Sequence, residues 1–228
     1  MDDSEVAKEH KVYDFTTNWF DPGLPQWSRL IQEFASKPVI GLEIGCFEGR
    51  SAVWILENVC THPDSKLTTI DTFEGSPEFS NGFMQIPIEI DKMESRFRSN
   101  ITATGKANQV EIVKGKSFET LATWNSCNSN AVPKFDFVYV DAGHEANSVQ
   151  SDANLVWPLL KHNGIMIFDD YGLRRYAEPY NNPHVGIDGF VAAYSQEIDI
   201  LESNYQLAVR KVKRERTYTI IDSKTGSQ

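Results

Sequence analysis

The stretch FDFVYVDAGH, residues 135–144, begins as a short apolar run and ends at an acid, Asp141. A second stretch, GIMIFDD at 164–170, repeats the pattern and ends at Asp169 and Asp170. Short runs of β-branched and aromatic residues are typical of strands that are buried on both faces of a sheet. Because an open α/β sheet binds its ligands beyond the carboxyl ends of its strands, we expect the three acids to lie close together.

The charges of Asp141, Asp169 and Asp170 would repel one another unless a cation lay between them. Carboxylate oxygens are the ligands that hard divalent ions such as Mg²⁺ prefer. An aspartate at a strand end can also cap a helix or accept hydrogen bonds from a loop, so a purely structural role is the alternative. Two successive acids are more than a cap needs, and we therefore predict a divalent-metal site, with Mg²⁺ as the expected ion.

Apolar runs alternate with helical segments from residue 38 to near the end of the chain. Further strands are predicted at 39–44, 66–71 and 110–115, and helices at about 50–59, 88–100, 117–124 and 146–160. Strand–helix units that repeat in this way are typical of an α/β fold with a parallel sheet.

The sequence after residue 160 predicts how the sheet is completed. The segment 161–164, Lys-His-Asn-Gly, has the cations and glycine of a helix C-terminus, so His162 is expected to cap the preceding helix. A helix is expected at about 187–196, followed by strands at 205–211 and 216–222 with the basic stretch KVKRER at the tip between them. The complete prediction is a doubly wound, mainly parallel seven-stranded sheet with a C-terminal antiparallel hairpin.

The composition argues against several classes of partner. A formal net charge of −10 makes nucleic acids and anionic membranes poor main partners. No apolar stretch approaches the roughly 20 residues that a membrane-spanning helix needs, and the acidic, polar N-terminus is unlike a secretory signal. The three cysteines lack metal-ligand spacing and are expected to be reduced thiols, which predicts a cytoplasmic protein. Self-association into a homo-oligomer is left open.

A turn with two glycines, EIGCFEG at 43–49, follows the first predicted strand and precedes a helix. Glycine lets the backbone approach a ligand closely, and a helix N-terminus offers oriented N–H groups. The second strand ends at Asp71, where an acid can accept hydrogen bonds from ribose hydroxyls. The turn has the spacing G-x-x-x-G rather than the G-x-G-x-x-G of dinucleotide-binding proteins, which weakens the prediction of a nicotinamide cofactor.

Four motifs in this order resemble those of the class I S-adenosylmethionine-dependent methyltransferases. They are EIGCFEGRS at 43–51, TIDTF at 69–73, FVYVDAGH at 137–144 and IFDDY at 167–171. The most similar group is the small O-methyltransferases, which include metal-dependent enzymes that act on natural products and sugars. The resemblance extends over about 38–222. It implies the Rossmann-like methyltransferase fold, with an S-adenosylmethionine-binding catalytic domain at 38–228 after an N-terminal tail and helical cap at 1–37.

The resemblance also implies which residues bind the cofactor. Those expected near its methionine part are Glu43, Gly45, Gly49 and Ser51. Asp71 would bind the ribose hydroxyls, Ser117 would lie by the adenine, and Phe73 would pack near it. Ser51 has N-capping of the first helix as an equal alternative. In the metal-dependent relatives, the positions of Asp141, Asp169 and Asp170 are the metal ligands.

His144 lies three residues beyond Asp141, on the same predicted loop. A histidine has a pKa near neutrality, so it could accept the proton of a methyl acceptor. In some sugar-modifying relatives a histidine at this position is the base, whereas others have an aspartate one residue earlier, where this chain has Gly143. The alternative is that His144 caps the next helix or orders the loop. His184, before the next predicted helix, fits either a loop role or a place in the cleft.

Two further groups of residues are ambiguous from the sequence. The N-terminal aromatics either close over the pocket or form a small satellite core; they are Tyr13, Phe15, Trp19 and Phe20. The loop after the second acidic strand could hold an acceptor or lie on the surface; its candidates are Tyr171, Arg174, Arg175 and Tyr180. The long connection at 72–87 is expected to be a lid.

These observations predict an S-adenosylmethionine-dependent O-methyltransferase that acts on a hydroxyl group of a small molecule with the help of a divalent metal. Asp141 and His144 are the predicted catalytic residues. Two alternatives remain from the sequence. One is an NAD-dependent oxidoreductase on a Rossmann-like sheet, and the other is a non-catalytic cofactor-binding protein of the methyltransferase fold.

Overall fold

The computed structural model describes residues 12–34, 36–76, 79, 88–126 and 134–214. Its strands are β1 Ile40–Ile44, β2 Lys66–Asp71, β3 Val110–Lys114, β4 Phe135–Val140, β5 Leu160–Phe168, β6 Ile198–Ser203 and β7 Leu207–Lys211. They form one sheet in the order β3-β2-β1-β4-β5-β7-β6. The first five strands pair in parallel, while β7 is antiparallel to both β5 and β6. The predicted fold class is therefore confirmed.

Six α-helices cover the two faces of the sheet within the described residues. They are α1 Leu24–Leu30, α2 Arg50–Asn58, α3 Ile90–Ala103, α4 Ser117–Ser126, α5 Ala146–Val156 and α6 Pro183–Ala193. Alternate side chains of a strand point to opposite faces, so β4 contributes Phe137 and Tyr139 to one core and Val138 and Val140 to the other. Helices α1–α3 pack into the first core and α4–α6 into the second, which is the doubly wound arrangement.

The segment 161–164 lies in strand β5 and does not end a helix, so the prediction that His162 is a helix cap was wrong. Helix α5 ends at Val156 and is followed by a 3₁₀ turn at Trp157–Leu159. Pro158 explains the early end, because proline has no N–H for a helical hydrogen bond and clashes with the preceding turn. His162 is exposed, and the next residue, Asn163, has a φ of 64° where the strand is irregular.

The C-terminal hairpin is also shifted from its predicted position. Its strands are β6 and β7, and the turn between them is at 204–206. Sequence reasoning missed β6. The basic stretch is not the tip of this hairpin, since Lys211 belongs to β7 and donates from its buried Nζ to the carbonyls of Trp157 and Leu160. The predicted strand at 216–222 lies outside the described residues.

Helix α6 begins at Pro183, four residues earlier than predicted, so His184 lies inside its first turn. Proline at the first helical position is favourable because its fixed φ suits the helix and no N–H is lost. No helix in the described part of the chain is both long and apolar enough to cross a bilayer.

The N-terminal segment belongs to the main core, and not to a separate satellite core. Phe20 and Trp27 are buried in the same cluster as Tyr139 of the central strand β4. Polar contacts tie the start of the segment to the body of the protein. The backbone of Asp14 exchanges two hydrogen bonds with the Asn100 side chain, both of 2.8 Å. This segment therefore forms a fixed part of the wall above the sheet's carboxyl edge.

Candidate active site

A cavity of about 1050 Å³ opens at the carboxyl ends of the parallel strands. Most of the predicted site residues line it, namely Gly45, Ser51, Asp71, Ser117, Asp141, His144, Asp169 and Asp170. The predicted residues Glu43, Gly49 and Phe73 are not among its lining residues in the described part of the chain. The glycine turn and the acidic strand ends therefore face a single space.

Gly45 lies where two strand ends approach each other most closely. Its φ is +83°, and a Cβ there would lie 2.0 Å from the carbonyl oxygen of Asp141. Any other residue would be strained in this conformation and would also collide with β4. The glycine thus allows the end of β1 to meet the end of β4. Gly49 has the same φ but precedes α2, where a Cβ would lie 2.8 Å from the Phe97 ring.

The Asp71 carboxylate holds the glycine turn in place. Its Oδ2 accepts hydrogen bonds from the backbone N–H groups of Cys46, at 2.8 Å, and Phe47, at 3.0 Å. Its Oδ1 accepts one from the N–H of Phe73, at 2.7 Å. A carboxylate has about four lone-pair positions, so Asp71 retains acceptor capacity while it lines the cavity. Its place at the end of β2 is the one predicted from the sequence.

Glu43 is fully buried behind the wall of the cavity. Ser51 donates a hydrogen bond from its hydroxyl to Glu43 Oε1, while Glu43 Oε2 has no hydrogen-bond partner among the described residues. Burial raises the pKa of Glu43 to about 8, with the nearby charge of Asp71 adding to the shift. Glu43 is therefore neutral near pH 7, and Ser51 is the member of this pair that reaches the cavity.

The predicted adenine end of the cavity contains Ser117, the first residue of α4. A hydrogen bond links Ser117 to the carboxyl group of Asp152, whose pKa burial raises to about 6. The structure places Phe73 elsewhere, in the core, where its ring centroid lies 5.5 Å from that of Phe97. The exposed ring of Phe118 lines the cavity next to Ser117. Sequence reasoning missed Phe118, although it directly follows Ser117 in the same turn.

The three predicted metal ligands converge. Carboxylate oxygens of Asp141, Asp169 and Asp170 lie within 4.8 Å of one another. Burial raises the pKa of Asp141 well above its usual range, and repulsion from the other two carboxylates raises it further. Burial and the charge of Asp170 likewise raise the pKa of Asp169. Three acids that are held together at this cost form a site suited to a cation.

The imidazole of His144 lies next to this cluster. Its Nε2 lies 2.8 Å from Oδ2 of Asp170. Burial tends to raise the pKa of Asp170, but the hydrogen bond and charge of His144 outweigh it and lower the pKa. The hydroxyl of Tyr205 donates a hydrogen bond to the other oxygen, Oδ1. The contact between His144 and the acidic cluster that the sequence predicted is therefore present.

Gln206 is a site residue that sequence reasoning missed. Its Nε2 donates a 2.9 Å hydrogen bond to Oδ1 of Asp169, and its Oε1 accepts a 3.1 Å hydrogen bond from Nε1 of Trp27. All three side chains are on different elements. No local signal could have found this contact, because Trp27 and Gln206 are 179 residues apart in the chain.

Some of the residues whose role the sequence left open line the cavity, and others lie elsewhere. Trp19, Phe20 and Arg175 line the cavity, whereas His184 and Tyr180 do not. The lining ring of Trp19 is stacked on Phe47 of the glycine turn, with centroids 5.4 Å apart.

The remaining candidates make contacts elsewhere. The hydroxyl of Tyr171 donates to Asp188 Oδ1 at 2.8 Å, and Arg174 lies over the Tyr171 ring. The hydroxyl of Tyr13 donates to Glu57 Oε1, and the Tyr13 ring is stacked on Phe15. Most of the predicted lid at 72–87 lies outside the described residues.

Solved structures of similar fold include several O-methyltransferases. TomG from Streptomyces achromogenes, an enzyme of tomaymycin synthesis solved with SAM, has a TM-score of 0.61 at 16% identity over 84% of this chain and 80% of its own. An O-methyltransferase from Bacillus cereus, solved with SAH, has a TM-score of 0.57 at 19% identity over 82% of this chain and 79% of its own. CalS11, a TDP-rhamnose 3′-O-methyltransferase of calicheamicin biosynthesis, has a TM-score of 0.55 at 14% identity over 86% and 81%.

These structural similarities establish the fold. The family itself is established by a comparison with family models. A search of curated proteins by sequence found no match. A family model described as a methyltransferase domain matches residues 42–171, which is more than half of the chain. That match decides against the alternative of an NAD-dependent oxidoreductase. The chain therefore belongs to the methyltransferase domain family, and its fold is that of the class I methyltransferases.

Proposed function

We propose that this protein is an S-adenosylmethionine-dependent O-methyltransferase that acts on a hydroxyl group of a small molecule, assisted by a divalent metal ion. One observation carries the proposal. The glycine turn with Asp71 and the acidic cluster with His144 line the same cavity, so a methyl donor and an acceptor could be held side by side. The SAM and SAH complexes of similarly folded O-methyltransferases support the choice of donor.

S-adenosylmethionine would supply a methyl group bonded to a sulfonium sulfur. An oxygen nucleophile would attack the methyl carbon in line, and S-adenosylhomocysteine would leave as a neutral thioether. The protein has to hold the two reactants close and aligned. The end of β1 and the end of β4 touch at Gly45 and Asp141, where the Asp141 N–H also donates a 2.8 Å hydrogen bond to the Ile44 carbonyl. This contact fixes the donor half of the site against the acceptor half.

The acidic cluster fits a divalent ion by the chemistry of its donors. Its three carboxylate oxygens lie within 4.8 Å of one another, and Mg²⁺ prefers oxygen ligands and keeps several waters. An ion held by Asp141, Asp169 and Asp170 would lower the pKa of an acceptor hydroxyl and fix its position. Tyr205 and Gln206 hold two of these carboxylates by hydrogen bonds.

In this proposal, His144 receives the acceptor's proton. When its Nε2 donates to Asp170, a neutral imidazole carries its lone pair on Nδ1. We expect Nδ1 to take the hydroxyl proton as the oxygen forms its bond to the methyl carbon and the carbon–sulfur bond breaks. Asp170 then stabilises the positive charge on His144.

The test is transfer of an isotopically labelled methyl group from S-adenosylmethionine to a panel of phenols, sugars and hydroxy acids, with Mg²⁺ and with a chelator. We expect turnover on at least one hydroxylated acceptor, and loss of that turnover with the chelator. His144→Ala should lower kcat with little change in the affinity for S-adenosylhomocysteine, because the residue acts on the acceptor side.

Three results would contradict separate parts of the proposal. An absence of S-adenosylhomocysteine binding in calorimetry would contradict the donor. Full activity in the chelator would remove the metal from the mechanism. An unchanged kcat for His144→Ala across the pH range would show that His144 is not the base.

A further inference from the structure

Three segments form one wall of the cavity, beside the acidic cluster. We name this wall the acceptor wall. Its cavity-lining members are Gly23, Gln26 and Arg29 of the N-terminal segment, Glu202 and Asn204–Gln206 at the β6–β7 turn, and Asp170, Leu173 and Arg175 of the loop after β5. The segments are packed together. A Cβ on Gly23 would lie 2.8 Å from Oε1 of Gln206, and the N–H of Gly172 donates a 2.8 Å hydrogen bond to the carbonyl of Tyr205.

Gln26 has a buried hydrogen-bond donor in this wall. The residue is only 6% exposed, it lines the cavity, and its Nε2 has no hydrogen-bond partner among the described residues. A buried polar group without a partner destabilises a protein, and such groups are rare in folded proteins. An oxygen atom of a ligand in the cavity would satisfy it.

Arg175 adds an exposed guanidinium group to the same wall. Its charge acts on Asp170, yet the guanidinium makes no hydrogen bond or ion pair with any residue that the structure describes. The two carboxylates of the wall already have partners. Asp170 is paired with His144 and hydrogen-bonded to Tyr205.

Glu202, the other carboxylate of the wall, is occupied as well. It forms an ion pair with Arg29 and accepts a hydrogen bond from Asn204 at 2.8 Å. Because both carboxylates of the wall have hydrogen-bonded partners, Arg175 is the cation of the described wall that remains for a ligand.

We propose that the acceptor wall binds an anionic oxygen group of the methyl acceptor, a carboxylate or a phosphate, through Gln26 and Arg175. Such a group has several acceptor oxygens, so it can receive the amide N–H of Gln26 and the N–H fork of Arg175 together. The inference rests on the proposed function, since the ligand in question is the molecule that is methylated. It makes Gln26 and Arg175 residues that determine acceptor specificity.

The experiment compares matched probes that differ only in the anionic group. For the carboxylate, 3,4-dihydroxybenzoate is compared with its methyl ester, and for the phosphate, glucose 6-phosphate is compared with glucose. Binding is measured by calorimetry in the presence of Mg²⁺, with and without S-adenosylhomocysteine. We expect at least one anion to bind tenfold or more tightly than its uncharged counterpart, and the pair that shows the preference identifies the anionic group.

The variants test whether the preference for the anionic probe comes from this wall or from the overall charge of the cavity. Arg175→Met should reduce the preference to less than threefold, and Gln26→Glu should weaken the anion at least tenfold while the uncharged probe changes little. Lys116→Met is the matched control, because Lys116 also lines the cavity but lies next to Ser117 at the other end. This variant should keep the full preference. Equal melting temperatures would show that each variant is folded.

Three outcomes would overturn the proposal. The first is that neither anion binds more tightly than its uncharged counterpart. The second is that Arg175→Met keeps the preference, and the third is that Lys116→Met loses as much of it as Arg175→Met. A failure of the proposed function is distinguishable, because it would appear as missing S-adenosylhomocysteine binding while the preference for anions with Mg²⁺ alone persists.

Discussion

Nε1 of Trp27 lies 3.1 Å from Oε1 of Gln206, and this contact determines which way the Gln206 amide faces the acidic cluster. An indole N–H can only donate a hydrogen bond, so the amide oxygen must point to Trp27 and the amide nitrogen to Asp169. Gln206 Nε2 then donates to Asp169 Oδ1 at 2.9 Å. A fully buried residue of α1 thereby orients a predicted metal ligand in a distant part of the sequence.

Trp27→Phe should weaken divalent-metal binding, because the Trp27 indole acts on Asp169 through Gln206. The change removes the N–H and leaves the amide of Gln206 free to rotate. Loss of a group that orients a metal ligand typically costs about 10- to 100-fold in affinity, and we expect a reduction in this range for Mn²⁺ titrated in calorimetry. Trp157→Phe is the control, because Trp157 lies in the other core and its indole N–H donates to Glu197, away from the acidic cluster. An equal loss of metal affinity in both variants would contradict an effect of Trp27 on Asp169 through Gln206.

Asp141→Asn should change stability in opposite directions with and without metal. Burial and repulsion from Asp169 and Asp170 raise the pKa of Asp141, so its ionised form destabilises the metal-free protein at neutral pH. We expect the variant to be more stable than wild type in a chelator, by about 1 to 3 kcal/mol. In saturating Mg²⁺ the order should reverse, because only the wild type keeps all three ligands.

Scanning calorimetry measures both orders for Asp141→Asn. Asp188→Asn is the matched control, because Asp188 is exposed and hydrogen-bonded to Tyr171. The stability of this variant relative to wild type should be the same in the chelator and in Mg²⁺. A variant that gains as much stability from Mg²⁺ as the wild type would show that Asp141 is not a ligand.

Glu43→Gln should remove a pH dependence of stability. The pKa of Glu43 is raised to about 8 from its unperturbed value of 4.5. The folded protein therefore holds a proton that the unfolded chain releases within this window, and its stability decreases as the pH rises from 4.5 to 8. The stability of the variant relative to wild type should rise through the same window by up to about 1.4 kcal/mol per pH unit.

Denaturant unfolding at several pH values measures the slope for Glu43→Gln. Glu94→Gln is the control, since hydrogen bonds from Lys114 and Arg98 lower the pKa of the exposed Glu94 instead. Its stability relative to wild type should not increase over this pH range. A flat difference for Glu43→Gln would mean that Glu43 ionises normally in the folded protein.

Gly45→Ala should damage the site far more than a glycine replacement elsewhere. The added Cβ would be 2.0 Å from the Asp141 carbonyl, at a φ that also strains alanine. We expect a loss of about 3 kcal/mol or more in the free energy of unfolding, with loss of S-adenosylhomocysteine binding. Gly105→Ala is the control, because Gly105 has a similar φ of +71° but no described atom lies within 4 Å of the position that its Cβ would take. It should cost about 1 kcal/mol and leave binding intact; similar losses for the two would refute a specific role for the contact.

The sequence predicted the parts of the site that depend on strand ends, and it missed those that depend on packing. Asp71, Asp141 and the pair 169–170 follow apolar runs, and parallel strands bring such ends to one edge. Gln206 could not be found because its partners come from distant segments. Phe73 was predicted beside the adenine, but the turn it occupies directs its ring into the core against α3.

Misplaced elements had local causes. The cations and glycine at 161–164 imitate a helix end, but Pro158 ends the preceding helix earlier, at Val156. Strand β6, IDILES, alternates polar and apolar residues only as far as Ile200, because Leu201 is also apolar. Over so short a length, helix and strand patterns are hard to distinguish. Because β6 was missed, the hairpin was placed one strand too late.

The segment matched by the family model, 42–171, contains the glycine turn, Asp71, the acidic cluster and His144. The two residues that we propose to contact the anionic group of the acceptor lie outside this segment, since Gln26 precedes it and Arg175 follows it. Under that proposal, the choice of acceptor depends on stretches of the gene that flank the matched domain. Exchanging these flanks between related enzymes should alter the acceptor, while Trp27 and Gln206 have to be kept because they orient Asp169.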